Sequence, residues 1–350
     1  MSVRLPIAVI GAGVIGRTHI ERTLSSERLR LVAIADPSAA AAELARATGT
    51  PHFDDHHAML AQAKPRAVVV ATPNATHAQI SVDCLEAGAA VLVEKPIADT
   101  LADARRICDA SEATGLPVLV GHQRRHNPIV RKAAAIVGSG GLGRPVSVTV
   151  MCTWLKPRDY FDAAWRRQRG GGPILINVIH DIDLMRHLYG EIESVQAFAS
   201  KAVRGFEVED TAVVALRFRN GALGTITVSD TAAAPWNYDL GSGEAQRFPH
   251  QDINAHFYCG TAGSLALPRL ELWRYRSDHG PAQGWQDPLT MERTSVHTEC
   301  PYAEQLRHFV ALIEGREAPV CSAQDAYRTL AATLAVADAA ATARLVQPSA

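Results

Sequence analysis

Residues 7–16 read Ile-Ala-Val-Ile-Gly-Ala-Gly-Val-Ile-Gly, an apolar run that passes straight into Gly11-x-Gly13-x-x-Gly16. A glycine triplet alone constrains little, but its setting here constrains the fold. A strand-like run precedes it and a helix-like stretch, 14–26, follows. Asp36 lies twenty residues beyond the third glycine, at the end of a second apolar run, 30–35. Each part has a mechanical task in holding a dinucleotide. Gly11 permits the tight turn, Gly13 leaves bare backbone for a pyrophosphate, and Gly16 lets the helix close on the strand. Val14 and Ile15 open that helix, whose free N–H groups and dipole favour phosphate. The Asp36 carboxylate is placed to accept hydrogen bonds from an adenosine ribose, and its charge opposes a 2′-phosphate. Pro37-Ser38-Ala39 brings no arginine to offset it. The expected cofactor is NAD(H) in preference to NADP(H).

A chain of 350 residues exceeds what one core organises, so two domains are expected. Apolar runs at 5–10, 30–35, 67–71, 90–94 and 117–121 alternate with helical stretches at 14–26, 38–47, 55–62, 75–87 and 99–113. That alternation predicts a doubly wound α/β domain with a parallel sheet over residues 1–123. Gly49, Gly88 and Gly115 fall where its helices should stop. From 124 to 350 the pattern changes. Helices are predicted at 128–138, 180–189, 302–314 and 323–343, and strands at 145–154, 193–204, 210–218, 222–230, 255–259 and 264–274. Close turns such as Asn220-Gly221 predict antiparallel neighbours. The second domain is therefore read as α+β, with a large open, mainly antiparallel sheet. Helices cover one face, the other is solvated or used for assembly, and the last helix packs back on the first domain. Residues 231–254 and 275–300 read as long loops.

Thirty-five Lys and Arg against 36 Asp and Glu leave a net charge of −1, which argues against a nucleic-acid partner. No apolar stretch is long enough for a membrane span, and the run before the glycines reads as a strand rather than a signal peptide. The six cysteines are scattered without a C-x-x-C pair, as expected of reduced thiols in a cytoplasmic protein. His52, His56 and His57 stand beside Asp54 and Asp55. A metal cluster and a polar loop entering a helix both explain them; the loop is preferred and no metal is expected.

Two further segments carry chemistry. Lys95, in Glu94-Lys95-Pro96, directly follows the run 90–94. Ligands of a doubly wound sheet sit outside the carboxyl ends of its strands. An ammonium there, with its proton affinity lowered by burial and by an oxidised nicotinamide, can take a hydroxyl proton as hydride leaves the same carbon. A surface lysine paired with Glu94 explains the position equally well. The second segment runs from Gly170 through Asn177 and His180-Asp181-Ile-Asp183. His180 and Asp183 share a helix face, with Asn177 one turn earlier. Such a set suits hydroxyl binding or proton relay, and also suits a helix start capped by acids with its histidine in the core.

Taken together, the glycine fingerprint, Thr72-Pro-Asn-Ala-Thr-His77, Glu94-Lys-Pro96, Arg125-His-Asn-Pro128 and the Gly-Gly…His180-Asp-Ile-Asp183 segment resemble the Gfo/Idh/MocA family of NAD(P)-dependent oxidoreductases over nearly the full length. The resemblance implies a Rossmann domain followed by an α/β domain whose open sheet mediates dimers or tetramers. It implies oxidation or reduction of a secondary alcohol or hemiacetal carbon on a cyclic polyol, sugar or related ring. It places Ala71, Thr72, Pro73, Asn74, His77, Glu94, Lys95, Pro96 and Gln123 around the cofactor, with Lys95 assisting proton transfer. His180 would bind or relay, and Asp183 would bind substrate hydroxyls. One position departs: many members carry aspartate four residues before this histidine, where this chain has Ile176 beside Asn177. Lys95 thus becomes the main proton candidate and His180 a hydrogen-bonding partner. Tyr160 and Arg166, in a segment with Trp154, Lys156 and Trp165, resemble one branch of the family and suit a pocket for an anionic or stacked ring, as does Trp236. Packing explains them as well. Two other functions fit the same motifs: glycoside cleavage in which NAD is regenerated each turnover, and a non-catalytic dinucleotide- or sugar-binding regulator.

Overall fold

A computed structural model describes residues 4–245, 247–275 and 284–349. They form two compact units, one of Met1–His126 with Glu299–Leu330 and one of Asn127–Thr298 with Ala331–Ala350. The sequence placed 299–330 with the second domain; it falls within the first unit.

In the first unit the chain runs β1 (Leu5–Ile10), α1 (Val14–Leu24), β2 (Leu29–Ala35), α2 (Ala39–Thr48), β3 (His52–Phe53), α3 (His56–Ala63), β4 (Ala67–Val70), α4 (His77–Glu86), β5 (Ala90–Glu94), α5 (Leu101–Thr114) and β6 (Val118–Gly121). The sheet order is β3-β2-β1-β4-β5-β6, and every pairing is parallel. Strands covered on both faces need unbroken apolar sequence, and β4 is accordingly Ala-Val-Val-Val, all buried. Caps set the helix ends. Ser38 accepts from Ala41 N–H before α2, and Gly49 ends that helix at φ +64°. Asp55 accepts from the N–H groups of His57 and Ala58 before α3, so the loop reading of the His52–His57 cluster describes its backbone. Strand β3 was not anticipated: two residues carry no readable pattern.

The second unit begins with α6 (Pro128–Gly138) and β7 (Pro145–Thr153). After α7 (Ile179–Tyr189) come β8 (Ile192–Ser200), β9 (Thr211–Phe218), β10 (Leu223–Ser229), α8 (Tyr238–Ser242), β11 (His256–Gly260), β12 (Ser264–Leu267), β13 (Glu271–Tyr275) and β14 (Leu289–Arg293). Their sheet has the order β14-β13-β12-β11-β7-β10-β9-β8; β10 and β7 are parallel and the remaining pairs antiparallel. The alternating burial of β9 sends Ala212, Val214, Leu216 and Phe218 into a core that includes Ile182 and Met185 of α7. Three expectations need correction. The run 264–274 is two strands, broken at Pro268–Leu270, where Leu270 has φ +54°. The loop 231–254 contains α8, and the loop 275–300 contains β14; residues 276–283 lie outside the described residues.

The chain closes with α9 (Pro301–Ile313) and α10 (Ala323–Thr342). Leu306, Phe309, Val310 and Leu312 of α9 join Ile20 of α1 and Leu29 of β2 in the core of the first unit, and α10 runs from the first unit into the second. No helix of the described residues is long and apolar enough to cross a membrane.

Candidate active site

The residues assigned to a cofactor follow the carboxyl ends of neighbouring strands: Gly11 after β1, Asp36 after β2, Ala71 to Asn74 after β4, Lys95 after β5 and Gln123 after β6. They therefore share one edge of the parallel sheet. A cavity of about 640 Å³ lies there, lined by Gly11, Gly13, Val14, Ile15, Asp36, Ala71, Thr72 and Pro73, and also by Asp54, Asp55 and His56. Gly11 sits at φ +89°, and a Cβ on it would come within 2.6 Å of the Ala71 carbonyl oxygen. Gly16 packs under the Gly11 carbonyl, whereas nothing lies within 4 Å of a Cβ placed on Gly13. The loop is thus crowded where helix meets strand and open where a pyrophosphate would approach.

Asp36 has a task the sequence did not disclose. Its Oδ2 accepts the Ala12 N–H at 2.8 Å and its Oδ1 the Ser38 N–H at 2.8 Å, so it ties the glycine loop to the end of β2. Burial works to raise its pKa, but the hydrogen bonds from Ser38 and Ala12 outweigh it and hold the carboxyl below its ordinary value. His52 contacts the Asp36 carbonyl through Nε2 at 2.9 Å. His56 pairs with Asp83 at 2.8 Å, and the ligand atoms of Asp55, His56 and His57 lie within 4.8 Å of one another.

The Glu94-Lys95-Pro96 turn is gripped from two sides. His19, three residues beyond Gly16 on α1, donates from Nε2 to Glu94 Oε1 at 2.8 Å; its side chain is fully buried and Glu94 nearly so. His77 at the start of α4 meets the Pro96 carbonyl through Nδ1 and the Thr72 carbonyl through Nε2, both at 2.9 Å. Burial lowers the His77 pKa, with the two carbonyls and the Glu94 charge pulling the other way. Burial would raise Glu94, but the His19 hydrogen bond, its charge and that of Lys95 reverse this and hold it below the usual carboxylate range. A side chain at Gly121 would collide with the Glu94 carboxylate. Glu94 and His77 therefore face inward as supports, while Lys95 between them stays half-buried. Asn74 is exposed in the short turn Asn74–Thr76, and Gln123 is buried in the turn Gln123–His126.

In the second unit, Asn177 lies in a π turn, Ile174–Val178, that leads into α7. His180 is half-buried and Asp183 buried on that helix, one turn apart. Its N-cap residue, Val178, makes no capping side-chain bond, and the acid of the first turn, Asp181, accepts from His256 Nε2 at 3.1 Å. Around Asn177 stands a cluster that spacing did not reveal. Lys156 Nζ donates to Asn177 Oδ1 at 2.8 Å and lies 3.8 Å from Asp230. Arg204 donates to Asp230 at 2.9 Å. Arg166 stacks 3.9 Å over the Tyr160 ring and donates to the Tyr160 carbonyl at 2.6 Å. Burial lowers the Lys156 pKa against the pull of Asp230. Lys156 was visible as part of its segment; Arg204 and Asp230 had no local signal. Trp236 is 46 % exposed, and its carbonyl accepts the Thr153 N–H at 2.9 Å.

Comparison with known proteins agrees with this architecture. The family model described as "Oxidoreductase family, NAD-binding Rossmann fold" matches residues 5–122, and that of the GFO/IDH/MocA C-terminal domain matches 130–264. The myo-inositol 2-dehydrogenase of Thermotoga maritima is 31% identical over 329 residues, 91% of each chain. The inositol 2-dehydrogenase of Rhizobium meliloti is 30% identical over 97% of this chain and 96% of its own. Among solved structures, the WlbA dehydrogenase of Bordetella pertussis, in complex with NADH and UDP-GlcNAcA, superposes with a TM-score of 0.80 at 26% identity, covering 99% of this chain and 100% of that one. With its doubly wound sheet, its glycine-loop cleft and these relatives, the chain belongs to the Gfo/Idh/MocA family of NAD-binding oxidoreductases.

Proposed function

We propose that the enzyme transfers a hydride between NAD and a secondary alcohol or hemiacetal carbon of a cyclic polyol, sugar or sugar-acid-like substrate. The observation that carries this reading is the shared sheet edge: Lys95 leaves β5 on the same side as the glycine loop leaves β1. The open backbone face at Gly13 and the α1 N-terminus fit a pyrophosphate, and the remaining lone pairs of Asp36 fit a ribose diol. When bound, the nicotinamide supplies the hydride acceptor or donor. Lys95 takes the hydroxyl proton as the hydride departs and returns it in the reverse direction. His180, Asp183 and Asn177 hold ring hydroxyls, with Tyr160, Arg166 and Trp236 shaping the pocket. The inositol dehydrogenases among the relatives support a cyclic polyol.

The test is NADH formation from myo-inositol, scyllo-inositol, glucose and glucuronate with the wild type and Lys95→Ala. Turnover that depends on Lys95 supports the reading. Product release from a glycoside without net NADH would support redox-assisted cleavage, and dinucleotide binding without turnover a regulator.

Assembly through the second sheet belongs to the same proposal. The face turned away from α7 carries the exposed side chains of Phe198, Val213, Leu223 and Phe257, with Phe198 directly opposite Val213. An apolar face of this kind suits a second copy, and a homodimer or homotetramer is expected by light scattering. A cytoplasmic location is also proposed, in keeping with six cysteines that form no disulfide with one another.

A further inference from the structure

His56 and His57 open α3, and the hydride-transfer reading gives them no task. Their ring centroids lie 4.0 Å apart, with the planes tilted by 35°. Both rings turn Nε2 toward one oxygen of Asp83 on α4, Oδ2, His56 at 2.8 Å and His57 at 3.7 Å. Asp83 stands 27 residues from His56, so local spacing could not show it. A hydrogen bond tying α3 to α4 needs only one of the two rings. The second is brought to the same oxygen although 3.7 Å is too long for such a bond.

The Asp83 carboxylate is held in a fixed direction. Gln79, one turn earlier on α4, donates to its Oδ1 at 2.7 Å, and Arg106 of α5 donates to Gln79 Oε1 at 2.5 Å. That leaves Oδ2 to the histidines. Outer contacts of this kind hold the ligands of metal sites in place. The separations also suit an ion. Bonds of about 2.0–2.1 Å to a tetrahedral ion put its ligand atoms about 3.3 Å apart, and 2.8 and 3.7 Å stand on either side of that value. The His57 side chain is 66 % exposed, whereas those of His56 and Asp83 are largely covered, which gives an ion a way in from solvent.

The other carboxylates nearby have different tasks. Asp55 approaches His56 from its Nδ1 side, at 3.8 Å. Its oxygens accept the His57 and Ala58 N–H groups, so it remains the cap of α3. Asp54 is exposed and lies 3.9 Å from His52 Nδ1.

We propose that His56, His57 and Asp83 form a site for a divalent transition-metal ion, Zn²⁺ by its ligand set, with water completing the tetrahedron. Two imidazoles and a carboxylate suit zinc, whereas Mg²⁺ and Ca²⁺ call for oxygen ligands. The imidazoles bind as neutral rings, and the proton shared by His56 Nε2 and Asp83 leaves to solvent as the ion enters. The ion ties α3 to α4. Asp55 and His56 line the cavity beside the glycine loop, while His57 and Asp83 do not, so the ion borders that cavity without filling it. The site is independent of the hydride-transfer reading.

The test takes the full chain, stripped with EDTA, and titrates it by calorimetry with Zn²⁺ and with Mg²⁺ as the control. One Zn²⁺ per chain is expected to bind, with no heat from Mg²⁺, and Zn²⁺ should raise the melting temperature. His57→Ala removes a largely exposed ring, and Asp83→Asn keeps the shape of the carboxylate. Each is expected to weaken Zn²⁺ binding by roughly tenfold or more, since the outer contacts of metal ligands alone are worth about 10–100-fold. Circular dichroism identifies the folded variants. Co²⁺ in place of Zn²⁺ should give the visible bands of a tetrahedral nitrogen and oxygen site; a thiolate charge-transfer band would put the ion on a cysteine and overturn the assignment. Zn²⁺ affinity unchanged in both folded variants also overturns it, as does a wild type that binds no stoichiometric Zn²⁺. Asp55→Ser keeps a capping side chain on α3. Loss of the ion in that variant, with full retention in Asp83→Asn, moves the carboxylate ligand to Asp55 and overturns the role given to Asp83.

Discussion

His19 holds the Glu94 carboxylate at 2.8 Å inside the first unit, with Glu94 Oε2 in turn 3.3 Å from the Lys95 backbone N–H. These contacts begin at a side chain on the helix that follows the glycine loop and end at the backbone of the candidate proton carrier. His19→Ala leaves a buried carboxylate without its donor, and a loss of about 3 kcal/mol in unfolding free energy is expected. The pH dependence discriminates charge from packing. In the wild type the folded Glu94 pKa is depressed, so its contribution is complete above about pH 4.5 and is lost as pH falls through the folded value. In the variant the Lys95 charge and backbone N–H still oppose burial, but the His19 contributions are lost and the folded pKa moves up. The deficit is then expected to shrink as pH falls from 7 to 5. Urea unfolding at both values checks this; an equal deficit at each assigns the contact to packing.

Asp36 is expected to set cofactor choice and loop geometry together. Titration should give tighter binding of NAD(H) than of NADP(H), and Asp36→Ala should narrow the gap. Because Asp36 also receives the Ala12 N–H, the variant should weaken NAD(H) itself by about tenfold, the scale of one charge-assisted hydrogen bond. Tighter NADP(H) binding by the wild type would contradict the role given to Asp36.

Removing the Lys95 ammonium should separate chemistry from binding. Lys95→Ala is expected to lower kcat by roughly a hundredfold or more, the range for a lost general acid–base group, with little change in the Kd for NAD. Near-normal turnover moves the proton to His180 or to a tyrosine.

His180 and Asp183 stand one turn apart on α7 and are expected to act on one substrate. A double-mutant cycle on kcat/KM should be non-additive. Additive losses, or an unchanged KM in both single variants, would falsify the shared role.

The parallel sheet was legible because its strands are buried on both faces and so are apolar without interruption. The same logic fails for β14, whose five residues are all exposed, and for β3, which is too short. Helix α9 was legible as a helix, but amphipathic spacing does not say which core it joins. At the candidate site, local spacing picked out residues from the sequence immediately around them: the glycines, Asp36, Lys95, His180 and Asp183. It missed side chains whose partners are remote. His19 meets Glu94 across 75 residues, and Arg204 meets Asp230 across 26. The acids at the start of α7 suggested a cap, yet Asp181 is claimed by His256, 75 residues away. Pairings of that kind follow from the folded topology and leave no periodic trace.

The return of residues 299–330 to the first unit bears on how the chain is made. Emerging from the ribosome, the segment up to 126 carries every strand of the parallel sheet but lacks Leu306, Phe309, Val310 and Leu312. From 126 to 312 is 186 residues, roughly 10–40 s of synthesis. Through that interval the apolar side of α1 and β2 that α9 covers has no permanent neighbour. A chain shortened after residue 126 keeps Ile20, Ala41 and Ala45 on that core but lacks the four apolar side chains of α9 that complete it.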